Sequence, residues 1–179
     1  MSLDFKMSVM EADSRSGKWL RWLLARASGG GGRRGADSRS FGEWGEHLAV
    51  RYLEKNGFRV AMTNFCAPIG QRRDRRLVTG EIDIIGYDLA SLAPVLVFVE
   101  VKTRSSEVVA TPESAVNRRK QRQIVRTAKV YRRLLRVWEE QYRYDVLTIL
   151  ARHGQRAEIS LHRAYFDDEI FRGVLRDRR

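Results

Sequence analysis

The sequence predicts an α/β domain with a mixed central sheet and helices on its faces. Two stretches carry the strand signal: VFVEVKTR (97–104) and GEIDIIGYD (80–88) are apolar runs of strand length bounded by turn residues. Two others, near 40–57 and 114–139, place apolar side chains at the spacing of one helical face. Helix, strands, helix and strands follow one another, the order of a layered α/β domain.

A chain of 179 residues suits one domain with a real core. With 43% apolar and 31% charged residues it reads as globular, not disordered. A net charge of +12 and a pI near 10.5 call for a polyanionic partner, nucleic acid first and an anionic membrane surface second. The plain alternative is a generally basic, solvated surface. The single cysteine, Cys66, excludes an internal disulfide, and no cysteine–histidine spacing suggests zinc. His47, His153 and His162 are scattered. No apolar run reaches the length of a membrane span. GKWLRWLLARA (17–27) is too short and too charge-broken for a signal peptide, so a cytoplasmic location is expected.

Residues 1–39 read as a flexible basic leader, with Trp19 and Trp22 in an apolar patch and Gly29–Gly32 as a linker. The patch is either a short amphipathic helix that touches a membrane, a partner or nucleic acid, or an unstructured tail, and the tail is favoured. Met7 and Met10 are alternative starts. The domain proper is expected over 40–179. Its first helix has Trp44, Leu48, Ala49, Tyr52 and Leu53 on one face and Asn56-Gly57 as its stop. RVAMTNF (59–65) reads as a strand and CAPIGQRRDRRLVT (66–79) as a loop. The strand 80–88, the turn SLAP and the strand ending in VFVEVKTR read as sheet neighbours. A long helix is expected from Pro112 or Ser114 to Glu139, with Ile124, Ala128, Tyr131 and Leu135 on its buried stripe. Strands at 142–151 and 158–164 and a terminal helix near 167–175 complete the chain.

The chemistry concentrates in two strands. Alternation puts Glu81, Asp83 and Ile85 on one face of GEIDII, with Ile82 and Ile84 on the other. In VFVEVK, Glu100 and Lys102 share a face with Phe98. Charges in a sheet core are costly unless paired, hydrogen-bonded or metal-bound. The plain reading is a core ion pair. The sharper one pairs the strands, brings Asp83 to Glu100, and joins the two carboxylates through a hard divalent ion. A lysine beside that ion can orient water or offset phosphate charge. Glu46 borders the apolar face of the first helix and can look toward the sheet, whereas Glu43 fills the role of a first-turn acid. Glu81 and Asp145 read as supporting residues, Asp145 as a salt bridge to a neighbouring arginine.

FGEWGEHLAVRYLEKNGFRV, GEIDIIGYD, VFVEVKTR, NRRKQRQIVRTAKVYRR and YRYDVL, taken together and in order, resemble the successive blocks of the bacterial YraN family (UPF0102) over about 40–150. The resemblance implies a restriction-endonuclease-like (PD-(D/E)xK) core, related to archaeal Holliday junction resolvases. It implies a metal-dependent nuclease acting on DNA, branched or recombination intermediates included. Its Asp and Glu-x-Lys positions match Asp83, Glu100 and Lys102, and the helix glutamate of resolvase-like members matches Glu46. On this view Mg²⁺ or Mn²⁺ is held by Asp83, Glu100, Glu46 and the Val101 main-chain carbonyl. Lys102 positions the attacking water. Resolvases of this fold act as dimers, so a homodimer is admitted. The chain departs from the family pattern in its leader and in the inserted 66–79 segment.

Independently, residues 118–136 contain nine Lys/Arg and no acid. Arg118, Arg122, Arg126, Lys129 and Arg133 stand away from the buried stripe. A solvated helix face usually mixes signs, so this one is expected to contact phosphates, without sequence readout. Arg119, Lys120 and Gln123 lie at its start, the latter two near enough to approach the metal site. Arg72, Arg73, Arg75 and Arg76 offer a second contact loop. The runner-up is a nucleic-acid-binding module that does not cut, with Glu100–Lys102 as a core salt bridge. A peripheral membrane protein using Trp19 and Trp22 ranks last.

Overall fold

A computed structural model describes residues 36–90, 92–105, 116–152 and 155–170. The leader through residue 35, with its Trp patch, lies outside the described residues, as does the terminal helix beyond a single turn at 168–170. The elements are α1 (Ala36–Lys55), β1 (Phe58–Gln71), β2 (Leu77–Asp88), β3 (Val95–Arg104), α2 (Arg118–Leu134), β4 (Tyr142–Leu150) and β5 (Glu158–Phe166). The five strands form one sheet in the order β1-β2-β3-β4-β5. β1, β2 and β3 are an antiparallel meander, β4 joins β3 in parallel, and β5 closes antiparallel. The parallel pair requires a crossover, and α2 lies within it.

Each face of the sheet carries a helix. α1 buries Ala49 and Leu53 against Phe58, Ile84, Val97, Val99, Val101, Leu147 and Ile149. α2 buries Ile124, Val125, Ala128 and Tyr131 against Phe65, Ile82, Ile85, Leu96, Phe98 and Tyr144. Trp44, expected on the buried stripe of α1, is instead 41% exposed and stacks on Phe41 at 5.7 Å. Gly57, with φ of 82°, turns the chain out of α1 as Asn56-Gly57 predicts.

The segment 66–79 is not a loop. It continues β1 and β2 outward as paired strands, through Cys66↔Glu81, Ala67↔Gly80, Pro68↔Thr79 and Gly70↔Val78, to a turn at 72–76. Arg72 N–H donates to the Arg76 carbonyl at 2.9 Å, and Arg75 takes φ of 62°. The arginine-rich composition hid the pairing, and Pro68 is tolerated because β1 is an edge strand.

Helix α2 begins one residue after Asn117, whose side chain accepts from Lys120 N–H at 2.9 Å. It ends at Leu134, short of the expected Glu139. Leu135 N–H closes on the Tyr131 carbonyl at 3.0 Å, Arg136 turns left-handed at φ 55°, and the Arg132 guanidinium donates to the Trp138 carbonyl. Gly80 lets α2 approach β2: a Cβ there would lie 2.0 Å from Thr127 Oγ1. Gly80→Ala is therefore expected to lower stability by about 1–3 kcal/mol, the usual range for overpacking. Adding Thr127→Ala, which removes the clashing hydroxyl, should recover part of the loss in a denaturant melt. Equal stability of Gly80→Ala and wild type would show that helix and sheet do not meet this closely.

Candidate functional site

The site forms where β2 leaves β3. Their ladder runs from Asp88↔Val95 to Ile84↔Val99 and stops there. The Asp83 carboxylate takes over at the break and accepts from Val101 N–H at 2.7 Å. Opposite it in β1, Asn64 adopts φ of 53°, and the Asn64–Asp83 position is skipped between Thr63↔Ile84 and Phe65↔Ile82. The expected alternation fails here. Ile82 faces the α2 side with Ile85, while Ile84 faces the α1 side. A strand that bends to offer a side chain to its neighbour's backbone cannot keep a strict two-residue period.

Glu100 points to the α2 side, as Phe98 does, and is 2% exposed. Lys102 Nζ donates to its Oε1 at 2.6 Å. From the first turn of α2, Lys120 Nζ stands 3.0 Å from Oε2. Each Glu100 oxygen thus faces one lysine ammonium. Burial, and then the Glu100 charge, push the Asp83 carboxyl up to about 7, against the pull of Val101 N–H, Lys120 and Lys102. Burial lowers the Lys120 ammonium, but the Glu100 and Asp83 charges outweigh it and hold Lys120 above its ordinary value.

The structure thus brings Asp83, Glu100, Lys102 and Lys120 together. It does not bring Glu46 into a three-carboxylate set: among the described residues no group of three or more His, Cys, Asp or Glu side chains gathers for a metal. Glu100 faces α2, whereas Glu46 lies on α1, next to Gly45, whose backbone packs on Thr103. Two carboxylates supply hard oxygen donors, and Mg²⁺ sites use one or two protein carboxylates with water and phosphate. The donor set fits such an ion without Glu46. Lys120, singled out by sequence for its position on a basic helix, proves to be a direct partner of Glu100. The main-chain bond from Val101 to Asp83 was not signalled in the sequence.

Beside the carboxylates lies an open groove of about 600 Å³, lined by Ile69, Leu77, Val78 and Thr79 of the hairpin, by Gln123 of α2, and by five arginines. Those are Arg72 and Arg76 from the hairpin tip and Arg119, Arg122 and Arg126 from α2. The two basic segments, separate in sequence, form its two walls. Gln123 Nε2 ties them together by donating to the Thr79 carbonyl at 2.9 Å. Arg73, Arg75, Arg118 and Arg133 are exposed outside the groove. Lys129, expected at a phosphate, pairs with Asp168 at 3.2 Å. Asp145 is buried and holds Arg143 Nε at 2.9 Å, the structural role expected of it. Glu81 is exposed.

A mixed sheet between two helices, with an Asp and a Glu-x-Lys at the break between its inner strands, is compatible with a restriction-endonuclease-like core. The chain belongs to the YraN family, described as uncharacterised protein family UPF0102, whose family model matches residues 45–149. It is 36% identical over 128 residues to a UPF0102 protein of Syntrophotalea carbinolica, covering 72% of this chain and 92% of that one. It is 40% identical over 114 residues to a UPF0102 protein of Alkaliphilus oremlandii, covering 63% and 86%. A UPF0102 protein of Chlorobium limicola is 38% identical over 115 residues, covering 64% and 78%. Among the described residues no helix is long and apolar enough to cross a membrane.

Proposed function

We propose that this protein is a metal-dependent nuclease acting on DNA. The observation that carries the reading is half-buried Asp83 beside buried Glu100, set at a strand break with Lys102 and Lys120 on Glu100 and an arginine groove nearby. Asp83, Glu100 and the Val101 main-chain carbonyl would hold Mg²⁺ or Mn²⁺. A bound divalent ion supplies Lewis acidity and a water that ionises near neutral pH. Asp83 is fixed for this by Val101 N–H, which leaves its other oxygen available. Lys102, 34% exposed, orients water toward a phosphate, and Lys120 offsets charge that develops on the phosphate oxygens. The arginine groove holds the backbone while the reaction proceeds. Branched DNA is the first substrate to try, because of the resemblance to resolvases.

The test is cleavage of linear duplex, single-stranded and four-way-junction DNA in Mg²⁺, Mn²⁺ or EDTA. Cutting that needs the metal supports the reading, and no cutting of any substrate in either metal would sink it. A second reading is favoured by the lysines themselves. Glu100 already has two cationic partners, as it would in a nucleic-acid-binding module that does not cut. Metal separates the two. The nuclease should gain several degrees of melting temperature in millimolar Mn²⁺, and the non-catalytic module none.

A further inference from the structure

We propose that the groove between the β1–β2 hairpin and α2 is a channel for the sugar-phosphate backbone of one nucleic-acid strand, on one side of the bond held at Asp83 and Glu100. The proposal rests on the nucleic-acid reading above and deepens it. Five arginines line the groove and no acid does. Asp74, at the hairpin tip, pairs with Arg76 at 3.5 Å but lies outside the lining. Like charges brought into one cleft repel, and an anion that enters it relieves the repulsion. The Arg122 Nε is buried there with no hydrogen-bond partner, a donor that a phosphate oxygen would satisfy.

The channel and the carboxylate site are built on the same two elements, β2 and α2. Lys120 on Glu100 and Gln123 in the groove are one turn apart on α2. Thr79 in the groove and Asp83 at the site are four residues apart on β2. Gln123 and Thr79 are bonded to each other, so both features hang on one helix–strand contact. Between the arginines the surface is apolar, formed by Ile69, Leu77 and Val78, and no aromatic ring lines it. Arginines on two facing walls suit one backbone laid between them, whereas a duplex would need a wider concave cleft. Arginine contacts to phosphate carry no sequence information, so the bases are not read. The occupant is therefore a single strand, or the single-stranded part of a branched substrate, taken without regard to sequence.

The experiment measures binding of fluorescent oligonucleotides in EDTA, where no cleavage occurs, against salt concentration. Arg72→Ala/Arg76→Ala removes the hairpin wall, and Arg119→Ala/Arg122→Ala removes part of the helix wall. Each pair is expected to lower affinity for a single-stranded 20-mer about tenfold or more. Each should also reduce the slope of log affinity against log salt by about 1.4, from two lost phosphate contacts at ~0.7 each on single strands. Two unrelated sequences should lose equally, and a blunt duplex should lose less. An unchanged slope in both pairs would overturn the channel, as would a larger loss on blunt duplex. A loss of binding to anionic phosphatidylglycerol vesicles without a loss on oligonucleotides would also overturn it, and point to a membrane surface. Because no metal is present, these outcomes are independent of whether the protein cuts. Failure of the nuclease reading shows only in the cleavage assay.

Discussion

Asp83→Asn is expected to abolish cleavage and, in EDTA at pH 8, to melt at a higher temperature than the wild type. The two effects have one origin. The Asp83 carboxyl is held up to about 7 in the folded protein by burial and by the Glu100 charge, against 3.8 as its ordinary value. The folded state therefore keeps this proton more tightly than the unfolded chain does. Ionising Asp83 costs stability, and the sign follows by linkage. The cost is absent below the unfolded value of 3.8, grows between 3.8 and about 7, and is complete above 7. Asparagine removes the charge yet keeps an oxygen to accept from Val101 N–H. The gain at pH 8 should be on the order of 3 kcal/mol and should fade as the pH falls toward 4. Mn²⁺ should stabilise the wild type and leave Asp83→Asn nearly unmoved. A variant less stable than wild type at pH 8 in EDTA would mean that the carboxylate pair is not strained.

Arg143→Ala is expected to cost about 3–5 kcal/mol, the penalty for leaving buried charge unpaired. Asp88 and Asp145 are both closed to solvent. Arg143 joins them, giving Nε to Asp145 at 2.9 Å and Nη2 to Asp88 at 2.7 Å. Burial alone would raise the Asp88 carboxyl. The Arg143 hydrogen bond, the Ala90 N–H and the charges of Arg143 and Arg163 outweigh burial and hold it below its ordinary value. Without the guanidinium the Asp88 carboxylate loses the hydrogen bond and the charge that offset its burial. The loss in Arg143→Ala should therefore be larger at pH 8 than at pH 3, where Asp88 protonates in the unfolded chain and its pairing contributes less. Arg143→Lys should recover less than half, because one ammonium does not present two separate edges to two acids. Melts of the two variants at both pH values check this, and a loss below about 1 kcal/mol would show that Arg163 suffices alone.

The two ion clusters illustrate what the sequence carried and what it did not. Glu100 and Lys102 announce themselves, because two charges inside an apolar strand are hard to place anywhere but a site or a pair. The basic stripe of α2 and the buried stripe of Ile124, Ala128 and Tyr131 follow from a period of 3.6 and were legible together. The hairpin extension was not. Its arginines mark a loop by composition, while the pairing that makes it a strand depends on a partner segment across the turn. The bend at Asp83 was hidden for a related reason. A side chain that substitutes for a ladder hydrogen bond breaks alternation, and alternation was the only guide to facing.

The crossover between β3 and β4 also sets an order of assembly. β1, β2 and β3 are neighbours along the chain and pair through short connections, so their contacts are inexpensive in loop entropy. That meander alone brings Asp83 to Val101 and sets Lys102 beside Glu100. Lys120 arrives only when α2 docks, and β4 has no parallel partner before that crossover is made. The two lysines on Glu100 thus belong to different moments of folding. Truncating Lys102 should slow refolding more than truncating Lys120, and truncating Lys120 should chiefly hasten unfolding.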